Sequence, residues 1–240
     1  MTELLPAPTA CRDPQPFDYP CTSGRPHGAF VSRLARVMPG LQVTLAQTSP
    51  YAAWWSDSNR RALESGRPLW VVLGDSLSQG IGASAPDRGW VGHVAADPTP
   101  RLRDAAVLNL SFKGARVLEV LRRQVPALDA LRQQRDIALV TVVTGNNDLM
   151  SPRWVGSLAA SAELLLEALP HGTVVARQPG MQRAASAYNR LLSRAADRGI
   201  VPADFRIPHL RDCRGRLAQD RFHPNDRGYA EMAAVARAAF

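Results

Sequence analysis

From residue 69 onward the sequence alternates short apolar runs with longer amphipathic stretches, and no other feature restricts its fold so strongly. Residues 69–73 are apolar throughout, 105–110 and 137–143 nearly so, and 173–176 form a shorter fourth run. A strand with one wet face alternates apolar and polar residues, whereas a strand covered on both faces is apolar at successive positions. Between these runs, residues 115–124, 154–168 and 182–198 carry apolar residues at helical spacing, and 226–239 closes the chain in the same way. Such alternation implies a three-layer α/β sandwich with a mostly parallel sheet, whose ligand site lies at the carboxyl ends of the strands.

Upstream the pattern changes. Residues 1–24 are rich in proline and polar side chains without a period, which predicts an irregular arm. Residues 27–38 predict a short helix ended by Pro39 and Gly40. A second helix is expected over 50–64, stopped by Gly66 and Pro68, with Tyr51, Trp54, Trp55 and Leu63 as a packing stripe. The expected division is an N-terminal extension, 1–49, and one α/β domain, 50–240. At 240 residues and 45% hydrophobic, the chain can bury one sizeable core.

Charge and cysteine content narrow the function classes. The net charge of +8 comes almost wholly from arginine, Lys113 being the single lysine. Such a balance attracts nucleic acid or anionic membranes when it is clustered. Here the arginines are scattered, several at helical spacing opposite apolar residues, as a solvated face requires. No nucleic-acid partner is therefore expected. No stretch of about 18 residues is uninterruptedly apolar, so no transmembrane segment is expected. The first ten residues lack a basic start and a long apolar run, so the chain reads as cytoplasmic. Cys11, Cys21 and Cys213 are odd in number and lack Cys-x-x-Cys spacing, which argues against a disulfide framework or a zinc site. Pairing of Cys11 with Cys21 stays open. No metal and no cofactor are expected.

Three apolar runs lead into residues able to do chemistry. The first ends in Gly74-Asp75-Ser76-Leu77, where a serine at a sharp turn can present its hydroxyl to a cleft. The same residues suit an ordinary turn and helix cap, and Asp75 reads as that cap. The second leads into Asn109-Leu110-Ser111-Phe112-Lys113-Gly114, whose Gly114 amide can face the same cleft. The third ends in Gly145-Asn146-Asn147-Asp148, where an asparagine amide can donate to a developing oxyanion or merely cap a turn. Near the end, Asp220 stands three residues before His223, close enough for the carboxylate to hold the imidazole within one turn. His27, His93, His171 and His209 lack comparable context.

Taken together in this order, the blocks resemble the SGNH hydrolase superfamily, or GDSL-type esterases and lipases, over roughly residues 69–240. Gly74-Asp75-Ser76-Leu77 is similar to the nucleophile block, and Gly114 to the glycine block. Gly145-Asn146-Asn147-Asp148 is similar to the Gly-x-Asn-Asp block, and Asp220-x-x-His223 to the last block. The resemblance implies an SGNH, flavodoxin-like sandwich and an acyl-enzyme on Ser76, with His223 as base and Asp220 as its orienting acid. It implies an oxyanion hole made by the amides of Ser76 and Gly114 and the side chain of Asn147, with Asp148 supporting the Asn147 loop. The α/β-hydrolase elbow, Gly-x-Ser-x-Gly, does not fit, because Ser78 stands at its second glycine. The expected substrate is a small-molecule carboxylic ester or thioester. Leu77, Ile81, Met150, Trp154 and Phe222 are candidates for an acyl pocket. An acyltransferase would use the same triad, and a basic binding protein would account for the charge but not for the blocks.

Overall fold

The computed structural model describes residues 19–24, 33, 35, 37–180, 182–205 and 214–240. Cys11, Cys213, His27, His209, the arm before residue 19 and most of the helix expected over 27–38 lie outside the described residues. Arg33, Ala35 and Val37 are helical and Met38 is not, in keeping with the expected stop before Pro39, and Pro39 and Gly40 open the next helix. Helix α1 runs Pro39–Ala46 with Met38 as its N-cap and proline at the first helical position. There a missing N–H costs nothing and the fixed φ suits the helix. Helix α2 follows at Thr48–Glu64.

The sheet has five strands: β1 Leu69–Gly74, β2 Ala106–Asn109, β3 Ile137–Val143, β4 Val174–Ala176 and β5 Val201–Ala203. Their order is β2-β1-β3-β4-β5, and every pairing is parallel. The crossovers carry α3 Ser76–Gln79, α4 Trp90–Ala96, α5 Val117–Glu119, α6 Val125–Arg132, α7 Asn146–Leu149, α8 Leu158–Ala168 and α9 Arg183–Ala195, and α10 Asp226–Arg237 closes the described chain.

The apolar run of β1 is explained by its two covered faces. Leu69, Val71 and Leu73 enter one core with Val117, Leu128, Leu165 and Leu192. Trp70 and Val72 enter the other with Trp55, Trp90, Tyr229 and Ala233. The polar residue within β3, Thr141, is buried but accepts from the Trp70 indole at 3.1 Å. Truncating a leucine in either layer is expected to cost about 2–5 kcal/mol. The parallel arrangement brings the carboxyl ends of β1, β2, β3 and β4 to one rim of the sheet, and three of the four sequence blocks follow the ends of β1, β2 and β3.

Candidate active site

The turn after β1 is shaped by Gly74, whose φ of +148° lies in the region open mainly to glycine. A Cβ there would overlap the Val143 carbonyl and lie 2.8 Å from Ser78 Oγ. Asp75 caps α3 by accepting from Leu77 N at 3.0 Å, as its turn position predicts. Ser76 is the first residue of that helix and is buried.

Asp220 and His223 arrive on the turn before α10. Asp220 Oδ1 accepts from the amides of Phe222 and His223, both at 3.0 Å. Its Oδ2 lies 2.6 Å from His223 Nδ1, and His223 Nε2 lies 3.0 Å from Ser76 Oγ. Because an ionised carboxylate only accepts, the network assigns the ring proton to Nδ1 and leaves Nε2 able to accept from the serine. Burial tends to raise the Asp220 carboxyl's pKa. The hydrogen bond and charge of His223 and the two amide donors outweigh burial and hold it well below the usual carboxylate range. The tight turn puts Arg221 at φ +55°, the one described non-glycine residue with positive φ.

Asn147 sits in α7, after Gly145 at φ +111°. Its Nδ2 donates to the Ala115 carbonyl at 2.9 Å and to Asp75 Oδ2 at 3.3 Å. One amide group thus ties together the turns after β1, β2 and β3. Gly114, at φ +77°, lies in the middle turn, whose Lys113 amide donates to Gln79 Oε1 at 2.8 Å. Asp148 is buried and accepts from Val117 N at 3.1 Å, at the start of α5. Lys113 is half-buried, its Nζ donates to the Thr44 carbonyl at 2.9 Å, and desolvation lowers its ammonium to about 8.

A cavity of about 210 Å³ opens beside these turns, between the ends of β3 and β4, the 217–224 turn and α10. Of the five candidates for an acyl pocket, Leu77 and Phe222 line it, with Val143, Phe205, Pro179 and Met232. Ile81 is fully buried elsewhere, Met150 is exposed, and Trp154 lies beneath the guanidinium groups of Arg116 and Arg153. Val143 and Met232 were legible only as core positions, because both lie in ordinary apolar patterns. Cys21 is a free, buried thiol within 3.4 Å of the Asn109 carbonyl. No described helix is long and apolar enough to cross a membrane.

Comparison with solved structures returns the same architecture. An esterase, EstA from Pseudoalteromonas sp., superposes with a TM-score of 0.57 at 20% identity, covering 71% of this chain and 95% of its own. A lipase/acylhydrolase from Enterococcus faecalis gives 0.55 at 18% identity, covering 71% and 94%. TesA gives 0.53 at 22%, covering 71% and 97%. No curated protein matches by sequence. The profile of the GDSL-like Lipase/Acylhydrolase family matches residues 72–231, from within β1 into α10. The chain belongs to the GDSL-like lipase/acylhydrolase family, the SGNH hydrolases.

Proposed function

We propose that this protein is a serine esterase that hydrolyses carboxylic esters or thioesters through an acyl-enzyme on Ser76. The observation that carries the reading is the buried line from Asp220 through His223 to Ser76 Oγ, with spacings of 2.6 and 3.0 Å. As Ser76 Oγ bonds to the carbonyl carbon, its proton passes to His223 Nε2. Asp220 holds the ring and stabilises the imidazolium. When the tetrahedral intermediate collapses, the bond to the leaving alcohol or thiol breaks and His223 returns the proton to it. Water then repeats the sequence on the acyl-enzyme, releasing the acid and restoring Ser76.

The amides of Ser76 and Gly114 and the Asn147 side chain are the proposed oxyanion donors. Asn147 serves by turning one N–H from Asp75, its longer bond, toward the oxyanion. The cavity lined by Leu77, Phe205 and Phe222 is the proposed acyl pocket. The roughly 210 Å³ here, against about 150 Å³ for an apolar cavity that holds benzene, gives room for a short acyl group.

The test is turnover of chromogenic esters of graded acyl length by wild type and Ser76→Ala, with and without an alcohol acceptor, alongside organophosphonate labelling. Ser76→Ala should abolish both turnover and labelling, and labelling that persists rules out Ser76 as the nucleophile. Acyl transfer to the acceptor in preference to water would identify an acyltransferase. Asn147→Ala should lower kcat by about a hundredfold or more with little effect on folding. An unchanged kcat removes Asn147 from the oxyanion hole.

A further inference from the structure

The carboxyl rim of the sheet carries a repeated device. At three places a side-chain amide closes both backbone groups of one residue, as a neighbouring strand would. Asn59 of α2 accepts from Asn109 N at 2.7 Å and donates to Asn109 O at 2.8 Å. Gln124 accepts from Gly74 N at 2.7 Å and donates to Gly74 O at 2.8 Å. Asn189 of α9 accepts from Gln178 N at 2.8 Å and donates to Gln178 O at 3.0 Å.

Each clamp stands where the sheet runs out of partners. The pairing of β1 with β2 stops at Val72 opposite Asn109, so Gly74 has no β2 residue beside it. Asn109 belongs to an edge strand, and Gln178 lies just beyond the end of β4. Asn59, Gln124 and Gln178 are almost wholly buried, so an unmatched backbone group at these sites is costly.

The clamped residues lead one by one to the proposed oxyanion donors. Gly74 precedes Ser76 by two residues. Asn109 opens the turn that carries Gly114, and its side chain binds Ser111 and the Ser78 carbonyl. Gln178 donates through its side chain to the Thr144 carbonyl, and a Cβ on Gly145 would lie 2.9 Å from it. It therefore supports the turn that presents Asn147. We infer that Asn59, Gln124 and Asn189 are positioning residues that set the three oxyanion donors, an inference that rests on the esterase reading above. None of them touches the substrate. Donors of this kind act only when aimed at the developing charge, so a small displacement lowers kcat while leaving ground-state binding nearly intact.

The experiment measures kcat and KM on a short chromogenic ester, per site titrated with an organophosphonate, for Gln124→Met, Gln124→Glu and Asn189→Leu. It includes Asn189→Leu combined with Asn147→Ala, with Ser76→Ala as control. The clamps predict kcat lowered about tenfold or more with KM changed less than about twofold. Gln124→Glu keeps the acceptor for Gly74 N and, only while protonated, a donor to Gly74 O. Its kcat relative to wild type should therefore exceed that of Gln124→Met at low pH and fall as the pH rises, and it also serves if the methionine variant does not fold. Asn189→Leu should lower kcat in the wild-type background and add nothing once Asn147 is alanine, because both act through one donor. Unchanged kcat per titrated site, or an equal Asn189→Leu effect in both backgrounds, overturns the inference while the esterase reading stands. Turnover that survives Ser76→Ala overturns the esterase reading and the clamps with it.

Discussion

Asp75 is the residue whose setting is most at odds with its chemistry. It is wholly enclosed beside Ser76, where burial pushes its carboxyl up to about 7. The Leu77 amide opposes that rise and the nearby Asp148 carboxyl adds to it. The folded protein holds this proton to about pH 7, whereas the unfolded chain releases it near 3.8. Between those values the folded state binds more protons, so this group's contribution to stability falls as the pH rises from about 4 toward 7. Asp220 works in the opposite sense. Its depressed pKa gives stability that is present above 3.8 and is lost as the pH falls below it. The two windows do not overlap. Asp75→Asn should therefore gain on wild type between pH 4 and 7, by on the order of a few kcal/mol, and then level off. Urea unfolding of both proteins across pH 4–8 measures it. A difference that does not vary with pH means that Asp75 is ionised throughout.

At the scale of elements, what the sequence disclosed depended on how local the cause was. Strands β1 to β4 were legible because burial on both faces writes an apolar run into the chain itself. Strand β5, Val201–Ala203, was not, since it is three residues long, contains Pro202 and leaves Val201 exposed. The helix expected to stop at Gln124 instead continues to Arg132 across Pro126. A π turn over Val120–Gln124, in which Val125 N reaches Val120 O, leads into the proline. Ser76, Asp220 and His223 were legible as blocks. The clamps were not, because an asparagine or glutamine in a helix has no local mark and Gln124 meets Gly74 across 50 residues. The proposed acyl pocket is also a product of several elements, with the last residue of β4, Ala176, in its wall beside Met232 of α10. Ala176→Leu would fill it with about three carbons, and kcat/KM should shift toward shorter esters. An unshifted acyl-length profile would mean that the acyl group binds elsewhere.

At the scale of the whole molecule, the described part of the N-terminal segment is tied to the rim that carries the site. Gln79 Nε2 donates to the Cys21 carbonyl, and Arg123 donates to the carbonyls of Thr22 and Ser23. Gln47 binds both Gly82 N and the Ala83 carbonyl, and Lys113 reaches Thr44. Composition could not reveal this, because the partners are mostly backbone carbonyls met by side chains distant in sequence. The expected division into 1–49 and 50–240 passes through the first turn of α2, which starts at Thr48. A close approach is at Gly40 in α1, where a Cβ would overlap the Gln219 carbonyl and lie 2.8 Å from Asp220 N. Gly40→Ala must therefore push α1 away or shift the turn that holds Asp220 against His223. Displacements of about 1 Å near a catalytic group can cost about a hundredfold. Gly40→Ala is expected to lower kcat on a short ester by about tenfold to a hundredfold, with KM nearly constant and organophosphonate labelling slowed in step. If only the melting temperature falls and kcat per titrated site is unchanged, α1 stabilises the fold without shaping the site.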